Sequence, residues 1–205
     1  KEYYMNKYTI LKNIKNKVIY NGGNDNILIP RNNYEKPKCF KIVTHHWSDN
    51  INKGYETYYK LHKFFENRTD YEFIFVGRKF NDNFKEVPVV GPLKGKELGD
   101  FLRSCDMYIT DSKWDSCPMH VVEAILSGLP MLYTNSEGGG KNLCELSKDK
   151  IGEPFDNFPD LIDKIEKING NYSFYRNNIL KNLELYKNDT CMSEYLKIFK
   201  CQINK

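Results

Sequence analysis

The sequence predicts an α/β domain built around a doubly wound parallel sheet. Three observations lead there. After the first forty residues, short apolar runs alternate with stretches of helical periodicity. The length of 205 residues suits one well-packed domain and is short for two. Each candidate loop also follows the end of a candidate strand, as repeated βαβ units require. Strands are expected near residues 17–20, 40–46, 71–76, 87–90, 106–110 and 130–134. Helices are expected at about 54–68, 94–104, 118–127, 158–168, 172–187 and 191–200.

In chain order, Val18-Ile19-Tyr20 is the first run of β-branched and aromatic residues. Residues 20–37, rich in Asn, Gly, Arg and Lys, read as an irregular, locally disordered connection. The helix at 118–127 has the clearest ends. Pro118 suits a first turn, where its missing N–H costs nothing, Gly128 supplies a left-handed stop, and Pro130 breaks the helix. The tail reads as two amphipathic helices broken near Asn188-Asp189-Thr190, with Asp189 or Thr190 as N-cap. Tyr195, Leu196 and Phe199 lie on its apolar stripe. The whole is a Rossmann-like sheet, and loops 45–54, 77–80, 91–95, 111–118 and 135–141 fall on one rim, where ligands of such sheets bind.

Composition narrows the function. The net charge of +4 comes from 31 basic and 27 acidic residues spread along the chain, with no like-charge run that would suit nucleic acid. No apolar stretch approaches the roughly 20 residues of a transmembrane segment. Six cysteines show neither a CxxC pair nor zinc-ligand spacing, and no signal peptide precedes them, so reduced thiols in a cytoplasmic protein are expected. Cys105 and Cys144 read as small core fillers. No GxGxxG turn follows the first strand, which argues against a nicotinamide dehydrogenase. No Asp-x-Asp in apolar context appears, so no metal is expected at a diphosphate.

The most informative run is Asp115-Ser-Cys-Pro-Met-His-Val-Val-Glu123-Ala-Ile-Leu-Ser-Gly-Leu-Pro130. It places two carboxylates eight positions apart across a helix start. Asp115 sits on the entering loop and Glu123 between one and two turns inside. The unpaired amides near Cys117, Met119 and His120 face outward between them, a ready site for an anion. Glu123 lies in an otherwise apolar segment, so its burial needs a reason, and accepting hydrogen bonds from ribose hydroxyls supplies one.

This run resembles the E-x7-E region of GT-B glycosyltransferases, in particular the large retaining family 4 group, with Asp115 where the first Glu usually stands. Val18-Ile-Tyr-Asn-Gly22, Lys53-Gly54, Phe73-Ile-Phe-Val-Gly77, Val89-Val-Gly91-Pro-Leu93, Asp106-Met-Tyr-Ile-Thr110 and Asn135-Ser-Glu-Gly138-Gly139-Gly140 resemble successive landmarks of that family's C-terminal, donor-binding half. The likeness covers about residues 15 to 200. It implies a single GT-B C-terminal-type domain over 1–205, with 1–37 a lead-in and 172–205 C-terminal helices. It also implies an N-terminal acceptor domain supplied elsewhere, in cis or in trans.

The activity implied is transfer of a hexose, with retention, from a UDP- or GDP-sugar to a glycan acceptor. No cofactor is involved, since the nucleotide sugar is the substrate. Asp115 and Lys53 are the implied catalytic residues, Lys53 contacting the diphosphate and Asp115 the hexose. The implied donor-binding residues are Glu123, Ser116, Cys117, Pro118, Met119, His120, Gly138, Gly139, His46, Ser48, Arg78 and Leu93. Arg78, Lys79 and the loop at Gly91-Pro92-Leu93 would flank the base, and Glu145 matches a family acid after the glycines.

Two departures stand out. Asp115 is one methylene shorter than the family's Glu, which leaves the sugar open. The family's Gly-Arg before Lys-Gly is replaced by Thr44-His-His-Trp-Ser48, where His45, His46 or Ser48 stand in as hydrogen-bond donors or the histidine pair is structural. Trp47, Trp114 and the tyrosines read either as stacking platforms for sugars or bases or as packing residues, most of them as packing. Two other functions are open: a non-catalytic nucleotide-sugar binding module, and a GT-B epimerase, for which His120 and His46 are too few.

Overall fold

The computed structural model describes residues 17–78, 84 and 86–203; Lys79 and residues 1–16 lie outside them. Among the described residues, six strands form one parallel sheet: β1 (Phe40–His46), β2 (Tyr71–Gly77), β3 (Val89–Val90), β4 (Met107–Thr110), β5 (Met131–Thr134) and β6 (Gly152–Phe155). Their order is β3-β2-β1-β4-β5-β6, and every pairing is parallel. The helices are α1 (Tyr55–Phe65), α2 (Gly95–Arg103), α3 (Met119–Leu126), α4 (Gly139–Cys144), α5 (Phe158–Gly170), α6 (Tyr172–Asn182) and α7 (Asn188–Ile203). The expected Rossmann-like sheet is present, in the 3-2-1-4-5-6 order that leaves a switch point between β1 and β4.

The two-residue repeat of the strands builds two cores. Ile42, Phe73, Phe75, Met107, Ile109 and Leu132 face α1 and α5. Val43, Val76, Tyr108, Met131 and Tyr133 face α2, α3 and α4. Both faces of β4 and β5 are buried, which is why those strands are apolar throughout rather than alternating.

Several expectations are corrected. Residues 17–20 form no strand: Val18 is exposed, and the place beside β1 that a further strand would need is taken by β4. The 20–37 segment is irregular but ordered against the domain. Leu28 is buried in the core, Arg31 pairs with Asp106 at 2.6 Å, and Tyr34 stacks on Tyr172 at 3.7 Å. The break in the tail comes earlier than 188–190. A 3-10 turn (Leu183–Tyr186) follows α6, and Lys187 is extended. Gly23 fixes that break by donating to Tyr186 O at 2.8 Å and accepting from Asn188 N at 3.0 Å. The Gly23 carbonyl thus serves the start of α7 in place of an Asp189 or Thr190 cap. Tyr195, Leu196 and Phe199 are exposed.

β6 and α4 were not foreseen. Cys105 and Cys144 are buried as expected, and burial pushes the Cys105 thiol up to about 12. None of Cys39, Cys105, Cys117, Cys144 and Cys191 is in a disulfide. Among the described residues no helix is long and apolar enough to cross a membrane.

Candidate functional site

At the carboxyl end of β1, strand alternation sends adjacent histidines in opposite directions. His45 turns toward α3 and His46 toward α1. His45 Nε2 lies 2.8 Å from Glu123 Oε2, with the His45 side chain fully buried and that of Glu123 25% exposed. A carboxylate only accepts, so Nε2 carries the hydrogen. Nδ1 lies 3.1 Å from Tyr108 Oη, which itself accepts from His45 N at 3.0 Å. Tyr108, His45 and Glu123 thus form a line of hydrogen bonds from the middle of the sheet to the mouth of α3. The sequence offered His45 only as one of three stand-in donors and did not bring Tyr108 into the site, because a contact between residues 78 positions apart leaves no local pattern.

On the open side of α3, Lys53 Nζ lies 2.5 Å from Asp115 Oδ2, both half-buried. Lys53 ends a short 3-10 turn (Ile51–Lys53), and Gly54 closes it in the left-handed region at φ 83°. A Cβ on Gly54 would sit 2.5 Å from Asp111 Cβ, so glycine lets the turn lie against the end of β4. Two backbone bonds fix the facing loop: Lys113 N donates to Asn52 O at 2.8 Å and Gly139 N to Asp115 O at 2.6 Å. Gly139 is required there, because its Cβ would meet Ser116 O at 2.3 Å.

His46 and His120 are buried between these groups, their rings 4.6 Å apart. His46 Nε2 lies 2.9 Å from Tyr58 Oη, and His120 Nε2 lies 3.1 Å from Thr110 Oγ1. Burial holds both well below the ordinary 6.5. For His46 the charges of His45 and Lys53 add to this; for His120 those of His46, His45 and Lys53 do. The unfolded chain takes up these protons near pH 6.5 and the folded one does not. Stability is therefore complete above pH 6.5 and declines as pH falls below it. Urea midpoints measured between pH 7 and 5 are expected to drop by an amount equivalent to about 1–2 kcal/mol per histidine.

The other sequence-selected residues divide. Pro118 is the N-cap of α3 rather than its first residue, Met119 is exposed beside it, and Cys117 Sγ accepts from Asn21 N at 3.3 Å. Ser116 and Gly138 border the loop beside Gly139. Leu93 packs on the α3 side of the core, while Arg78 is exposed at the end of β2. Ser48 is turned to its own loop, its hydroxyl accepting from Asn50 N at 3.2 Å. His46 is engaged by Tyr58, with Thr44 Oγ1 at 3.3 Å, and offers no free donor at the rim. Glu145 caps the end of α4.

Tyr55, Tyr58 and Tyr108 are packing residues as expected, but Trp114 is 75% exposed. A cavity of about 1370 Å³ lies on the α1 side, lined by Tyr55, Tyr59, Phe158, Asp111 and Ser136. Asp115 and Glu123 do not line it, although Asn52 and Gly54 on either side of Lys53 do. Among the described residues no group of three His, Cys, Asp or Glu side chains is placed to hold a metal ion.

Residues 31–182 match the family model described as glycosyl transferases group 1. Among solved structures, sucrose-phosphate synthase from Thermosynechococcus elongatus has a TM-score of 0.75 at 15% identity, covering 99% of this chain and 56% of that one. Anabaena HepE in complex with UDP and glucose has a TM-score of 0.69 at 16% identity, covering 90% and 56%. The C-terminal domain of a glycosyl transferase group 1 protein from Francisella tularensis has a TM-score of 0.61 at 12% identity, covering 80% and 96%. At these identities the likeness is one of fold, and the chain spans about half the length of the first two. A search of curated protein sequences returns no match.

Proposed function

We propose, given that the chain belongs to the glycosyl transferases group 1 family, that it is the donor-binding half of a retaining, family-4-like GT-B hexosyltransferase. One observation carries this reading. Glu123 is turned onto a buried histidine at the end of β1, while Lys53 pairs with Asp115 on the loops that follow β1 and β4, on the rim where such sheets bind nucleotides.

In this reading Glu123 accepts from the ribose hydroxyls, held in place by His45. The diphosphate lies against the α3 amides and Lys53, whose charge stabilises the leaving group as negative charge builds on it. Asp115 gives up Lys53 and orients the hexose. The acceptor, and any group acting from the other side of the sugar, belong to an N-terminal domain in cis or in trans. The unpaired thiols suit a cytoplasmic enzyme.

A second reading, a nucleotide-sugar binding module without transfer activity, is favoured by the fate of the histidine doublet. Where the family has an arginine, His45 and His46 are both spent on internal partners, so neither of them serves as a second cation for the leaving phosphate. Calorimetric titration with UDP, GDP and their sugars tests both readings. Binding by at least one is expected, and none at millimolar concentration sinks both. Lys53→Met is expected to lose affinity for the diphosphate while leaving any nucleoside affinity unchanged. Sugar transfer after addition of an acceptor-domain chain separates the enzyme from the module.

A further inference from the structure

Among the described non-glycine residues, only Trp114 has left-handed backbone, with φ 61°. In that region the Cβ of an L-residue crowds the neighbouring carbonyl, so a bulky side chain is held there only by its surroundings. Here the surroundings are the two backbone bonds that flank it, from Lys113 N to Asn52 O and from Gly139 N to Asp115 O.

The effect of this clamp is to hold the indole outward, 75% exposed, when tryptophan is ordinarily among the more buried residues. Folding gives no account of the choice, since Gly or Asn makes the same turn without crowding and an exposed indole contributes little packing. Ile51, on the loop bonded to this one, is 77% exposed. Between the two apolar side chains, the loops carry the Lys53–Asp115 ion pair.

An exposed aromatic face beside a hydrogen-bonding charge pair matches the chemistry of a pyranose. Its C–H face stacks on the ring and its hydroxyls reach the ammonium and the carboxylate. We propose that Trp114 is a stacking platform for a pyranose ring of the acceptor, arriving from the open side of the rim. The acceptor assignment rests on the donor reading above. The platform itself rests on the clamped, outward indole.

The chain holds two tryptophans, so isotope labelling of the indole nitrogens gives two signals, assigned with Trp47→Phe. The labelled chain is titrated separately with methyl α-glucoside, methyl α-galactoside, N-acetylglucosamine and UDP. At least one free sugar is expected to move the Trp114 signal in a saturable way. Trp114→Ala should weaken that sugar on the order of tenfold, as loss of an aromatic stacking face does. Trp114→Asn, at ease in left-handed backbone, should lose sugar binding measured by calorimetry with no fall in melting temperature. If no sugar moves the signal, or only UDP does, the platform is refuted. UDP affinity retained in Trp114→Ala would then leave the donor reading standing, whereas absence of UDP binding by the unmodified chain strikes that reading alone.

Discussion

Glu123→Ala is expected to lower affinity for a nucleoside diphosphate sugar at least tenfold, measured by calorimetry. Hydrogen bonds to a charged acceptor contribute about 1.5–3 kcal/mol each, and in the proposed donor site a ribose offers its hydroxyls to this carboxylate. The same substitution leaves His45 Nε2 without its partner in a fully buried position. An unsatisfied buried donor costs about 1–3 kcal/mol, so the variant should also melt earlier. Glu123→Gln separates the two effects, because its carbonyl oxygen still accepts from His45 while the charge is gone. The glutamine variant should keep the parent's melting temperature and show intermediate affinity. Unchanged affinity in the alanine variant would remove Glu123 from the site.

Gly54→Ala should destabilise the domain by about 3 kcal/mol and abolish nucleotide binding together, read by urea denaturation and calorimetry. Left-handed backbone costs an alanine about 1–2 kcal/mol. The added methyl would also lie 2.5 Å from Asp111 Cβ and 2.8 Å from Asp111 O, an overpacking that moves backbone. Relief requires the 51–53 turn to lift from the end of β4, carrying Lys53 away from Asp115. A variant that loses stability yet binds normally would show that Lys53 has no part in the site.

The strands legible in the sequence were those the core demands. β4 and β5 are buried on both faces and are written as largely apolar runs, and β1 and β2 each carry an apolar core, Ile42-Val43 and Phe73-Ile-Phe-Val76. β6, Gly-Glu-Pro-Phe, hides because each residue answers to a local need. A Cβ on Gly152 would lie 1.9 Å from Met131 O. Buried Glu153 is neutralised by Lys150 at 2.8 Å and Lys167 at 3.0 Å. Pro154 is tolerated because β6 is an edge strand. α4 opens on Gly139, a poor helix former, because close contact with the Asp115-Ser116 backbone outweighs propensity there.

The candidate site divides in the same way. Asp115, Glu123 and Lys53 were visible through motif order, and the structure pairs Asp115 with Lys53. The histidine doublet was not decidable from sequence. Which neighbour goes to which face depends on the register of β1 against β2 and β4, and only that register shows His45 reaching Glu123 while His46 is enclosed by Tyr58.

Because Lys53 and Asp115 hold each other at rest, no anion arriving at this lysine meets a bare ammonium. It competes with a rival tethered to the same scaffold, whose effective concentration is at least on the order of millimolar. A small lone oxyanion gains a single charge contact and fares poorly in that contest. A longer guest that grips Glu123 and the amides of α3 at once brings several contacts against one. In the proposed donor site, that contest screens visitors by reach and number of handholds before base or sugar identity comes into play.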